Sequence, residues 1–204
     1  MTRSAVQREY GALAAGYDAR WSGYVRATTD MALARVPCAP NVRLLDVGCG
    51  TGALLDRALT MQPAMQCTGV DLTREMLQRA AMRLGGRASL VQGSGDALPV
   101  ADACVDVVVS TSALHYMRDA VRVLREMRRV LVPGGTLVLT DWCADYRAMR
   151  WLDRLLRVGD PAHVRTLRCS ELGALVASAG FSRVRVESAK AGRFWGLMTV
   201  VGVA

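Results

Sequence analysis

Short continuous apolar runs alternate along the chain with longer stretches whose apolar residues recur three and four positions apart. The runs read as strands buried on both faces, and the longer stretches as amphipathic helices. Strands are expected around Val42–Val47, at 65–70, 88–92, 104–109 and 136–140, and in two β-rich runs, 182–188 and 193–203, joined through Ala189-Lys190-Ala191-Gly192 as a hairpin. Helices are expected over 3–36, from near Thr51, from Thr73, over Ala120–Val130, from Arg147 to about Val158, and from Ser170 to Gly180. Tyr10 and Tyr17 lie seven apart, which puts them on one face of a single helix. Pro37 and Pro40 close the first helical region, Pro133-Gly134-Gly135 is a turn before the fifth strand, and Gly159-Asp160-Pro161 breaks the helix ahead of it.

One stretch organises the rest: Leu44-Leu45-Asp46-Val47-Gly48-Cys49-Gly50-Thr51-Gly52, where a buried strand meets three alternate glycines and then Ala53, Leu54, Leu55, Ala58 and Leu59 at helical spacing. A strand, a tight glycine turn and a helix open a nucleotide-binding α/β unit, because the turn lets a ligand near the backbone and the helix N-terminus offers unpaired N–H groups. The spacing is G-x-G-x-G after Asp46, distinct from the G-x-G-x-x-G of dinucleotide binders.

With Asp71 at the end of the second strand, Gly93-Ser94-Gly95-Asp96-Ala97-Leu98-Pro99 after the third, and Arg129-Val130-Leu131-Val132-Pro133-Gly134-Gly135-Thr136 before the fifth, the chain resembles class I S-adenosylmethionine (SAM)-dependent methyltransferases over about 40–203, most specifically 44–140. The branch it resembles is the small-molecule one, with quinone-pathway and specialised-metabolite enzymes. The resemblance implies an α/β, Rossmann-like fold: a mostly parallel seven-stranded sheet with an antiparallel C-terminal strand and helices on both faces. It implies one methyltransferase domain over 1–204, with a helical lid (1–40), a SAM-binding core (41–140), a substrate roof with the last helix (141–180) and a β-hairpin (181–204).

SAM is the cofactor so implied, with S-adenosylhomocysteine as its product. Tyr17 would close over the methionyl end and Asp46 would anchor its amino group. Asp71, a carboxylate with two acceptor oxygens, suits the ribose diol. Asp96 would meet the adenine amine and the Ala97 N–H a ring nitrogen. Gly48, Cys49, Gly50, Thr51, Gly52, Leu72, Met76, Ser94, Gly95, Ser110 and Thr111 complete the cofactor set. The substrate candidates are Tyr10, Trp21, His115, Tyr116, Asp141, Trp142, Tyr146, His163 and Arg165. His163 and His115, the only histidines, are the candidate catalytic bases, with His163 favoured because it falls in the roof. The loop after the fourth strand, Ser110-Thr111-Ser112-Ala113, lacks the Asn/Asp-Pro-Pro-aromatic motif of nucleobase N-methylation.

The net charge of +8 comes almost wholly from arginine, Lys190 being the only lysine. It leaves RNA or protein methylation open as an alternative to a small-molecule acceptor, alongside a non-catalytic SAM-binding module. The arginines are dispersed, however, and Arg122, Arg125, Arg128 and Arg129 read as solvated helix faces. The expected partners are a small-molecule methyl acceptor, with no nucleic acid and no membrane insertion, in a monomer or homodimer. No apolar run reaches the length of a membrane helix and the start has no signal-peptide core, so a cytoplasmic protein is expected. None of the six cysteines forms a C-x-x-C pair, so no metal site is expected, although Cys143 and Cys169 both fall in the roof.

Overall fold

The apolar run before the glycine turn folds as β1 (Arg43–Val47), with Leu44, Leu45, Asp46 and Val47 all buried. In this computed structural model, which describes residues 2–160 and 162–204, β1 lies inside a sheet of seven strands among the described residues. Its partners are β2 (Gln66–Asp71), β3 (Ser89–Gln92), β4 (Val105–Thr111), β5 (Leu131–Trp142), β6 (Ser182–Ala191) and β7 (Trp195–Val203). The spatial order is β3-β2-β1-β4-β5-β7-β6. The first five pair in parallel, and β7 runs antiparallel between β5 and β6. Chain order reverses between β1 and β4, and the crevice outside the carboxyl ends at such a switch point is where α/β sheets bind ligands.

Successive residues of a strand face opposite ways. Leu45, Val47 and Val108 therefore join one core with Leu124 and Met127 of α5 (Ala120–Val130) and Leu172 and Val176 of α7 (Cys169–Ser178). Leu44, Val107 and Val109 join the opposite core. That core holds Ala32 of α2 (Tyr17–Leu33), Leu55 of α3 (Ala53–Met61) and Ala80 of α4 (Arg74–Leu84). Each fully buried Leu or Met contributes about 1.5–3 kcal/mol, so both faces are firmly covered. The expected doubly covered, mostly parallel sheet is what forms.

The N-terminal region differs from the single helix expected. α1 (Thr2–Leu13) stops, Gly16 caps α2, and the backbone kinks again at Trp21. Gly16 in mid-helix forgoes favourable helix energy, and the chain breaks there. Tyr10 and Tyr17 still meet, with ring centres 5.9 Å apart, across a helix junction rather than along one helix face.

Two strand boundaries also shift. β5 starts at Leu131, which pairs with Val105, and Pro133-Gly134-Gly135 bulges out before pairing resumes at Val107 and Thr136. β6 runs on through Ala189, Lys190 and Ala191, which pair with Leu197, Gly196 and Trp195, so the hairpin turn begins at Gly192. At 189–191 ladder pairing extends through residues read as a turn, whereas 133–135 leave the β4 ladder as a bulge. α6 (Arg147–Gly159) ends where expected; Pro161 of the breaking triplet lies outside the described residues. Of the helix-face arginines, Arg122, Arg125 and Arg128 are exposed, as expected, and Arg129 is half-buried. Arg129 reaches Glu126, Asp102 and the carbonyls of Val100 and Leu98, Arg128 reaches the Gly180 carbonyl and Arg122 the Asp96 carbonyl. The bonds of Arg122 and Arg129 hold the loop after β3 against α5, and that of Arg128 ties α5 to the end of α7.

Candidate active site

The cleft at the switch point has a volume of about 310 Å³. Tyr17, Gly48, Gly50, Asp71, Leu72, Met76, Ser94, Gly95, Asp96 and Thr111 line it, all expected from the sequence, together with Val6, Tyr10, Ser112 and Tyr116. Its floor is the glycine turn. Gly48 has φ 78°, and a Cβ there would lie 2.8 Å from the Ala113 Cβ. A side chain is excluded by both backbone conformation and space.

Asp71 is locked in place. Its Oδ2 accepts from the Gly50 N–H and its Oδ1 from the Thr73 N–H, each at 2.8 Å. Each carboxylate oxygen keeps a second lone pair, so a vicinal diol can still donate to both. Burial raises the Asp71 pKa, and the two N–H bonds pull against that rise. Asp46 is buried one residue before the lining Val47 and Gly48, and its Oδ1 has no hydrogen-bond partner. Burial, with the charge of Asp71 added, pushes its pKa up to about 8. A buried carboxyl with an orphaned oxygen is costly unless a donor or cation arrives. The α-ammonium of SAM is such a group. Asp46, Asp71 and the glycine turn therefore fit the methionyl end and ribose of SAM.

Other expected cofactor residues serve the frame instead. Cys49 is buried against Gly69 and Leu55, Gly52 caps α3 against Ala80 and Leu84, and the Ser110 hydroxyl donates to the Val47 carbonyl at 2.6 Å. The Ala97 N–H donates to the Ser94 carbonyl at 3.1 Å, so it closes a turn rather than facing the cleft. Thr51 is a latch: its hydroxyl donates to Asp18 at 2.7 Å and accepts from Arg83 at 3.0 Å, while Arg83 also pairs with Asp18 at 2.6 Å. This triad ties the lid helix α2 to the glycine turn. No local pattern announces it, because residues 18, 51 and 83 meet only in the fold.

Above the cleft lies an aromatic roof. Tyr10 packs edge-on against Tyr116 at 5.4 Å, and their hydroxyls are hydrogen-bonded. His115 lies in a 3-10 turn (Leu114–Tyr116) after β4 and stacks on Trp142 at 4.0 Å with 15° between planes. Its Nδ1 meets Asp141 Oδ1 at 2.5 Å. Asp141 also accepts from the backbone N–H of His115 and of Trp142, which fixes the carboxylate. His163 is held likewise, Nε2 to Asp153 Oδ1 at 2.9 Å, and its ring centre is 5.8 Å from that of His115. The second nitrogen of each ring, His115 Nε2 and His163 Nδ1, is buried without a partner.

Trp142 donates to the Tyr24 hydroxyl, which is 2.5 Å from the Ser112 hydroxyl lining the cleft; no local pattern marks Tyr24 as a roof member. Of the other three substrate candidates, Trp21 and Tyr146 join the edge of this group and Arg165 stays outside it. Trp21 packs on Trp195 and Tyr24, Tyr146 lies across Gly196 of β7, and Arg165 is exposed. Glu9 reaches the roof from α1; burial and neighbouring Asp160 raise its pKa to about 7.

The geometry agrees with what comparison with known proteins finds. The methyltransferase domain family matches residues 45–139. The uncharacterized methyltransferase YcgJ of Bacillus subtilis is 34% identical over 148 residues, 69% of this chain and 57% of that protein. The malonyl-[acyl-carrier protein] O-methyltransferase of Methylococcus capsulatus is 31% identical over 188 residues, 88% of this chain and 66% of that protein. The chain thus spans roughly half to two thirds of the length of these relatives. Among solved structures, the methyltransferase bound to the Trm112 activator in Haloferax volcanii superposes with TM-score 0.85 at 24% identity, covering 96% of this chain and 97% of that one. That likeness shows the fold. No helix among the described residues is long and apolar enough to cross a membrane. A glycine floor beside an orphaned carboxylate, a locked Asp71 and these relatives lead to one assignment: the chain belongs to the class I SAM-dependent methyltransferase family.

Proposed function

We propose that this chain methylates a small-molecule acceptor seated between the cofactor cleft and the aromatic roof. The observation that carries the reading is the placement of His115. Its chain neighbours Ala113 and Tyr116 line the cleft, while its own ring is fastened to Asp141 and stacked on Trp142. When bound, SAM supplies a methyl group already activated by a sulfonium. The chain's tasks are to hold the nucleophile close and aligned, to strip its water and, where it carries a proton, to remove it.

Asp141 accepts the Nδ1–H of His115, which leaves Nε2 as the lone-pair nitrogen. That atom is buried and unpartnered, and it is the base in this reading. His163, fastened to Asp153, has a fully buried side chain and no residue of 162–165 lines the cleft, so His115, whose neighbour Tyr116 does line it, takes precedence over the roof histidine. A base suits an acceptor whose oxygen must lose a proton, and the relative from Methylococcus is named an O-methyltransferase. The acceptor is therefore a hydroxyl compound.

The test is transfer of a labelled methyl group from SAM to fractionated cell extract. Label in the low-mass organic fraction supports the reading; label recovered only in RNA or protein rejects it. Once an acceptor is in hand, His115→Asn lowers turnover about 10²–10⁴-fold and leaves affinity for S-adenosylhomocysteine nearly unchanged. Full turnover in that variant removes His115 from the mechanism.

A further inference from the structure

Cys143 and Cys169 are 26 positions apart, and the fold brings their sulfurs to 3.5 Å. Cys143 directly follows β5 and is fully buried; Cys169 is the first residue of α7. Asp145 completes a triangle, its Oδ2 3.6 Å from the Cys143 sulfur, and the three ligand atoms all lie within 4.8 Å of one another. The same Oδ2 accepts from the Cys169 backbone N–H at 3.0 Å, which orients the carboxylate from behind. The Ser188 hydroxyl stands beside the Cys169 thiol.

These distances are those of a tetrahedral metal site. With metal–sulfur bonds of about 2.3 Å and metal–oxygen bonds of about 2.0 Å, two sulfurs lie about 3.8 Å apart and sulfur and oxygen about 3.5 Å apart. The observed 3.5 and 3.6 Å need shifts of a few tenths of an ångström. Two thiolates with a carboxylate suit a borderline-soft divalent ion. Asp145 is exposed and Cys169 half-buried, so an ion reaches the site from solvent.

We propose that Cys143, Cys169 and Asp145 bind one zinc-class divalent cation, which clamps the segment ahead of α7 to the end of β5. The clamped segment already meets β5 there: Cys143 bridges to Leu167, and the Ala144 N–H donates to the Leu167 carbonyl at 2.8 Å. Binding breaks two S–H bonds and forms two metal–sulfur bonds, and both protons leave to solvent. A dication with two thiolates and one carboxylate carries net charge −1, which the N-terminus of α7 and neighbouring Arg168 offset. None of the three residues lines the cofactor cleft, so the site stands apart from the proposed methyl transfer.

The experiment is titration of the reduced, metal-free chain with Co²⁺ under a non-chelating reductant. One equivalent should produce thiolate-to-cobalt charge-transfer bands and the visible bands of tetrahedral cobalt. Cobalt binding should release two protons per chain, and zinc should then displace the cobalt with no further proton release. Cys143→Ser with Cys169→Ser should abolish the bands, Asp145→Ala should weaken binding about tenfold or more, and Cys38→Ser with Cys104→Ser should leave it intact. Absence of the bands in the wild-type chain, octahedral cobalt, or bands that survive the Cys143/Cys169 double variant overturns the proposal, whether or not that variant folds well.

Discussion

The backbone N–H of Gly50 donates to the Asp71 carboxylate at 2.8 Å, across the mouth of the cleft. The glycine turn and the carboxylate at the end of the neighbouring strand are thus one unit. An N–H supplied by the turn after β1 holds the carboxylate that lines the cleft. Asp46, buried just before the turn, feels the charge of that same carboxylate.

Cofactor binding should release a proton near neutral pH. Asp46 has its pKa pushed up to about 8 by burial and by Asp71, so at pH 7 it is largely protonated. An ammonium placed beside it favours the charged form, and the proton leaves. Calorimetry with S-adenosylhomocysteine at pH 7, in buffers of unequal ionisation enthalpy, should give heats that differ by close to one proton. The difference should fade well above pH 8 and vanish in Asp46→Asn. Equal heats in all buffers at pH 7 would contradict the assignment.

The lid should loosen as pH rises. The Glu9 pKa stands at about 7 against an ordinary value of 4.5, raised by burial and by Asp160, while His115 pulls the other way. A raised folded-state pKa favours the folded form when the carboxyl is protonated. That contribution is whole below about 4.5 and is lost as pH climbs through about 7. The wild-type thermal midpoint, measured relative to Glu9→Gln, should fall between pH 5 and pH 8. A constant difference would show that Glu9 titrates normally.

Arg83→Met should weaken cofactor affinity without direct contact. It removes the cation that joins Asp18 to Thr51, a partly exposed pair worth about 0.2–1 kcal/mol in stability. The affinity for S-adenosylhomocysteine should drop about threefold to tenfold as the lid loosens, with hydrogen exchange speeding up at the start of α2. Unchanged exchange there would mean that the triad does not hold the lid.

Gly48→Ala should be far more damaging than its size suggests. The backbone is left-handed at φ 78° and the new methyl would meet Ala113 at 2.8 Å. Strain of this kind costs about 1–3 kcal/mol, and the floor of the cleft would shift. A variant with wild-type melting temperature and cofactor affinity would refute the steric argument.

The sheet and the residues that gather at the cleft were readable because they depend on local pattern. Val105 to Val109 announces a strand buried on both faces, and Asp46, Gly48, Gly50 and Asp71 sit at spacings fixed by one strand–helix–strand unit. Contacts between distant segments were not readable. Nothing near Thr51 says that its hydroxyl turns to Asp18, and nothing near Cys143 says that Cys169 will lie beside it. The roof was half legible: His115, Tyr116, Asp141, Trp142 and His163 do assemble, but composition alone could not separate them from Trp21, Tyr146 and Arg165. Turn-like residues misled where ladder pairing overrode them, at Ala189-Lys190-Ala191, while Pro133-Gly134-Gly135 does leave the ladder, as a bulge inside β5.

The most direct test is equilibrium titration of the purified chain with S-adenosylhomocysteine, beside Asp71→Ala. The wild-type chain should bind one equivalent saturably. Loss of two hydrogen bonds to a charged acceptor, each worth about 1.5–3 kcal/mol, should weaken the variant by about a hundredfold or more. No uptake by a folded wild-type chain, or equal uptake by Asp71→Ala, would contradict the placement of the cofactor.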